Sequence, residues 1–154
     1  MAIITIDDNK TYNSIAQILT EVFGKTNQKG EPIERVYGRC GMEIAKGRQF
    51  YCIRLADKLP DGGWACPKNG KDWLNIPDSD DKAFTQIELN KTEETKENKK
   101  EKYELAIFVH KKDENGKYPI YFYGIFKQTY INKEAGIFVH KRINTYLNTD
   151  EWKQ

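Results

Sequence analysis

The chain has 154 residues with 25 basic and 23 acidic side chains, a net charge of +2, and is 38% hydrophobic and 31% charged. That length and apolar content suffice for one modest core in a single domain, residues 1–154, and not for two. No apolar run approaches the roughly 18 residues that span a bilayer, and the N-terminus lacks the basic flank and apolar stretch of a secretory signal, so a cytoplasmic protein that does not enter a membrane is expected.

Ala2–Ile6 is a short β-branched run and reads as a first strand. The segment Tyr12–Phe23 reads as an amphipathic helix. Ile15, Ile18, Leu19, Val22 and Phe23 share one face, Thr11 is placed to cap the start, and Gly24 to end it. A polar loop and a strand-like stretch at Ile33–Tyr37 follow, interrupted by Gly38 and Gly41. Gln49–Ala56 alternates, with Tyr51, Ile53 and Leu55 on one side and Phe50, Cys52 and Arg54 on the other, the pattern of a half-buried strand. Pro60-Asp61-Gly62-Gly63 is a turn, because Pro presets its dihedral and Gly accepts positive φ. Trp64–Cys66 and Trp73–Ile76 read as the arms of a hairpin, and Phe84–Leu89 as a further strand. Residues 91–102 hold five lysines, four glutamates and no apolar side chain, and are expected to form a mobile charged insertion.

The last third is the most legible. Tyr103–Lys111 and Tyr118–Lys127 flank Asn115-Gly116, a strong hairpin signal. With these two as the loop residues, Leu105, Ile107 and Val109 face Phe126, Gly124 and Phe122. On the other side Ala106, Phe108 and His110 face Ile125, Tyr123 and Tyr121. Gly124 falls where a large neighbour needs room or the strand bends. Ile137–Ile143 is a third strand, and the tail after it carries a helical turn, with Tyr146, Leu147 and Trp152 packing back. Large apolar groups on both faces imply a covered or curled sheet. The expected class is α+β: a strongly bent antiparallel sheet, or partly open small barrel, with one N-terminal helix packed on it.

The pentapeptide Ile-Phe-Val-His-Lys occurs at Ile107–Lys111 and again at Ile137–Lys141, and it contains both histidines, His110 and His140. In a simple meander they occupy equivalent positions on the two strands flanking Tyr118–Lys127, roughly two strand spacings or 10 Å apart. They read either as half-buried strand residues or, with Tyr121, as binding or proton-transfer groups. The cysteines Cys40, Cys52 and Cys66 lack the spacing of a zinc knuckle or a disulfide framework and read as small buried hydrophobes. No metal or cofactor is expected, and Asp78, Asp80 and Asp81 read as a solvated turn rather than a calcium loop.

Between Lys25 and Lys58 there are eight basic and four acidic residues, with Arg35, Arg39, Arg48 and Arg54 interleaved with Tyr37, Tyr51 and several glycines. Guanidinium forks, aromatic faces and close-approach glycines are what a phosphate backbone or splayed base requires. Lys111 and Arg142 extend this set. Trp64 and Trp73 flank a Pro- and Gly-containing loop that suits a stacking or partner-binding site. Two functions follow: a nucleic-acid-binding module without catalysis, or a small protein-interaction or inhibitory module that blocks a larger protein. The arginine and aromatic cluster favours the first, and no nucleophile–base spacing supports an enzyme.

Overall fold

The computed structural model describes residues 2–34, 41–65, 73–89 and 102–153. The elements, in chain order, are β1 (Ile3–Thr5), β2 (Thr11–Tyr12), α1 (Ile15–Glu21), β3 (Gly41–Ala45), β4 (Arg48–Arg54), β5 (Trp73–Pro77), β6 (Ala83–Glu88), β7 (Glu104–His110), β8 (Ile120–Asn132), β9 (Ile137–Asn144), β10 (Tyr146–Asn148) and α2 (Thr149–Trp152). Strands make up 50% of the structure and helices 9%. The protein is therefore sheet-dominated, and the expected α+β class with a prominent helix is incorrect. The reason is local. Ser14 accepts a hydrogen bond from Gln17 N, while Gln17 Oε1 accepts one from Asn13 N. These two bonds, at the N-cap Ser14 and at the residue before it, start α1 three residues late. Gly24, at φ 63°, turns the chain away at the other end, and Tyr12 joins the sheet instead of the helix.

The main sheet has the order β3-β4-β7-β8-β9-β6-β5, with β2 paired to β8 outside that path. It is not purely antiparallel, because β4 runs parallel to β7. It is also not closed into a barrel. It bends until the chain just beyond β4, its second strand, meets the end strand β5 at an isolated bridge, Leu55 to Asn75, where Ala56 N donates to Asn75 O at 2.8 Å. β1 and β10 form a separate two-stranded ribbon.

The two faces pack separately. Phe50 and Cys52 of β4, Ala106 and Phe108 of β7, and Ile120, Phe122 and Ile125 of β8 point outward. They meet Ile18, Leu19, Val22, Phe23, Leu147 and Trp152. Phe108 lies at the centre, with Tyr12, Phe23, Phe50 and Phe122 at 5.3–6.2 Å in tilted or edge-on contact, a preferred aromatic geometry. The opposite parity, Ile53, Leu55, Leu105, Ile107 and Val109, joins Phe84, Tyr123 and Phe126 in a second cluster. Strands far apart in the sheet order contribute to it, so this cluster is the inside of the curl.

The hairpin differs from its expected register by one residue over half its length. Asp113 N donates to Lys117 O at 2.8 Å, and Asp113 Oδ1 accepts from Asn115 N and Lys117 N. The loop is thus three residues, Glu114, Asn115 and Gly116, with Gly116 at φ 75°. Val109 faces Tyr121, Phe108 faces Phe122 and His110 faces Ile120. A bulge beyond Phe122 absorbs the shift, and Ile107–Gly124, Ala106–Ile125 and Leu105–Phe126 pair as expected. Gly124 sits at φ 126°, and a Cβ there would lie 2.7 Å from Arg142 Nε. It supplies both the bend and the room for a large neighbour.

The expected hairpin of Trp64–Cys66 with Trp73–Ile76 does not form among the described residues. β5 pairs with β6, while Trp64 bridges Lys58. Strand β3 escapes sequence reading because Gly41-Met42-Glu43 carries little β character. The tail behaves as expected in burying Leu147 and Trp152, but Tyr146 remains 49% exposed. Residues 35–40, with Arg35, Tyr37, Arg39 and Cys40, lie outside the described residues, as do Cys66 and almost all of the 91–102 insertion.

Candidate nucleic-acid interface

Inside the curl, the second cluster includes something an apolar core does not need: a directed chain of amides. Asn75 Nδ2 donates to Arg54 O at 3.1 Å, and Gln86 Nε2 donates to Asn75 Oδ1 at 2.9 Å. His140 Nε2 lies 2.7 Å from Gln86 Oε1. Since that oxygen can only accept, His140 Nε2 carries the proton. The order of these bonds fixes which way each amide points. Asn75, Gln86 and His140 are 7%, 8% and 1% exposed, and the His140 ring stacks on Phe84 at 4.7 Å.

Each amide has two N–H groups and two acceptor lone pairs, so the chain leaves Gln86 and Asn75 with one spare donor and one spare acceptor apiece among the described residues. Gln86 and His140 border a small cavity of about 10 Å³ with Tyr51, Ile53, Phe84, Leu105 and Ile107, room for about one water. A third amide, Gln128, faces His140 across the β8–β9 ladder. It is 7% exposed, and neither side-chain atom has a hydrogen-bond partner among the described residues. Burying such a group costs about 1–3 kcal/mol, so packing alone does not account for it.

At one end of the curl, Arg54 lies over the Tyr118 ring at 3.9 Å. Tyr118 Oη donates to Asp57 Oδ2 at 2.6 Å, and Tyr118 O accepts from His110 Nδ1 at 3.2 Å. A second cation–aromatic group joins Arg142, whose guanidinium lies 4.9 Å from the Tyr123 ring and 5.3 Å from Phe126. Arg142 Nε donates to Tyr123 O, and Tyr123 Oη to Asp81 Oδ1 at 2.8 Å. Burial, and then the Asp81 carboxylate, push the Tyr123 hydroxyl well above the usual phenol range.

The structure separates some of the residues singled out in the sequence. His110 pairs with Ile120 and His140 with Gln128, eight positions apart along β8, or roughly 25 Å of strand. They are not equivalent and do not form a proton-transfer pair. Arg48 is occupied within the fold: it bonds Glu104 Oε2 and Glu151 O and covers Trp152. Tyr51 and Tyr121 are half-buried against the inner cluster, Lys111 is exposed at the hairpin, and Trp73 packs on Phe138 at 5.7 Å. Trp64 is half-buried in its loop. Sequence reading missed Asn75, Gln86, Gln128, Asp57 and Tyr118. The one available signal for Gln86 is an amide at a core-facing position of a strand, two residues beyond Phe84.

Among the described residues no group of three or more His, Cys, Asp or Glu could hold a metal ion, and no helix is long and apolar enough to cross a membrane. No curated protein matches the chain. A solved structure, the 5-hydroxymethylcytosine-specific restriction enzyme AbaSI, is similar to it with a TM-score of 0.65 and 20% identity, over 95% of this chain and 42% of that one. The chain thus spans less than half the length of that enzyme, and the likeness bears on the fold. The family described as SET and RING associated domain matches residues 1–149, and the chain belongs to this SRA family.

Proposed function

We propose that this chain is a DNA-binding module that recognises a modified cytosine, turned out of the duplex and read inside the curl by the amide of Gln86. Nucleic-acid binding as such is supported by the family match and by the shared fold. The finer reading, a modified cytosine, is supported by the specificity in the name of the similar enzyme. The observation that carries it is the Asn75–Gln86–His140 chain, which holds an amide with a spare donor and a spare acceptor at a buried cavity. Amides are among the side chains that read base edges, and a base can reach a buried reader only by leaving the stack. A base is larger than the present cavity, so its admission moves half-buried side chains at the edge, Tyr51 first among them. Binding, not cleavage, is the activity assigned. No observation among the described residues favours the inhibitory or protein-interaction alternative.

The test is equilibrium binding to two duplexes that differ only in one central cytosine, plain or 5-hydroxymethylated, at several salt concentrations. The expected result is salt-dependent binding to both, with the modified duplex bound at least about tenfold tighter, a difference of about 1.4 kcal/mol. Equal affinity for the two would sink the base-reading proposal.

A further inference from the structure

The three described arginines differ in what holds them. Arg48 and Arg142 each donate hydrogen bonds to the protein. Arg54 is exposed at the last position of β4, and among the described residues its guanidinium makes no hydrogen bond or ion pair, only its 3.9 Å contact with the Tyr118 ring. That ring is itself fixed at both ends, by Asp57 at the hydroxyl and by His110 at the backbone carbonyl. The Asp57 carboxylate accepts the Tyr118 hydroxyl and makes no ion pair with Arg54 among the described residues. With its carbon 3.9 Å from a ring that is itself held, and with no hydrogen bond to the described residues, the guanidinium has its N–H fork available to a ligand. That fork matches two oxygens of a phosphate, with little side-chain freedom left to lose on binding.

Its position adds a second argument. His110 is the direct neighbour of Arg54 in the parallel β4–β7 ladder, and Lys111 follows it, exposed. The backbone carbonyl of Arg54 is also where the amide chain of the curl ends. One residue thus anchors the base-reading amides through its backbone and presents a cation through its side chain.

We propose that Arg54, at the end of β4 on the outward parity it shares with Phe50 and Cys52, seated on Tyr118 beside His110 and Lys111, is a phosphate clamp at the rim of the curl for the DNA backbone flanking the base being read. This rests on the DNA-binding reading above. The clamp positions the duplex and carries no base information.

The experiment compares the parent protein, Arg54→Ala, Arg54→Lys and Tyr118→Ala on the plain and 5-hydroxymethylated duplexes across salt, with thermal melting to verify folding. Arg54→Ala is expected to weaken both duplexes by the same factor, about tenfold at moderate salt, and to reduce the salt slope by about 1. Arg54→Lys, which keeps the charge but loses the fork, should retain the slope and only part of the affinity. Tyr118→Ala, which removes the platform, should fall toward Arg54→Ala. Unchanged affinity of Arg54→Ala would overturn the clamp while the parent's preference for the modified duplex still stood. Loss of that preference with an unchanged slope would also overturn it, making Arg54 a positioning residue for Asn75. A parent that binds both duplexes equally, with Arg54→Ala still losing affinity and slope, would retain the clamp and refute the base reading.

Discussion

The outer and inner faces of the sheet are built from the same strands, yet they bury different chemistry. The outer cluster is apolar, closed by α1, α2 and the β1–β10 ribbon, with Phe108 fully buried among four rings; the one buried polar residue beside it, Thr149 of α2, bonds Ala2 O. The inner face has a comparable aromatic content but also buries Asn75, Gln86, Gln128 and His140. A polar group inside a protein costs free energy unless it is bonded, and a bonded one adds only modestly to stability. The outer face gains the full stability of apolar packing. The inner face gives some of that up for an oriented polar edge, which is how a binding site differs from a core.

That contrast can be tested by substitution, and the largest effect belongs to the outer face. Phe108→Ala should cost about 3–5 kcal/mol, read as a fall in the urea midpoint, and should leave DNA preference unaltered in whatever fraction remains folded. Next is Gly124→Val, expected to cost more than about 2 kcal/mol. A β-branched side chain is strained at φ 126° and would collide with Arg142. Unchanged thermal stability would refute the bulge. Gln86→Leu should cost about 1–3 kcal/mol, because it leaves Asn75 and His140 without the partner they share, while abolishing discrimination between the two duplexes.

The smallest effect is alkaline. Burial, aided by the Glu21 and Asp8 charges, raises the Tyr12 hydroxyl from 10.0 to about 12. The folded state therefore favours the protonated phenol. Its contribution is present in full below pH 10 and is lost as pH rises from 10 through 12. Stability should decline over that window, and Tyr12→Phe should decline less steeply when both are followed by denaturation at pH 9 and pH 11.

Much of the strand content was legible because Tyr51–Leu55 and Leu105–Val109 alternate in β-rich side chains. The pairing of β4 with β7 was not. Its partners are 56 residues apart in the chain, and a parallel contact leaves no turn signal. Asn115-Gly116 announced a hairpin but not its three-residue loop. The compensating bulge at Tyr123 then hid the error at Leu105, Ala106 and Ile107. The repeated pentapeptide misled most. Identical local sequence implies identical strand conformation, but register is set across strands, and there the two histidines diverge. For the candidate site, Arg54, Tyr51 and His140 were within reach of sequence reasoning. Asn75 and Gln86 were not, because an amide in a strand has no meaning until its partners are known.

The central claim is that the inner amides read a base. It is tested most directly by measuring the dissociation constants of parent and Gln86→Leu for the plain and 5-hydroxymethylated duplexes in one buffer. The account predicts a parent preference of at least about tenfold that collapses to near unity in Gln86→Leu, with both proteins still binding plain duplex equally. A Gln86→Leu protein that melts cooperatively and retains the parent's preference would contradict it.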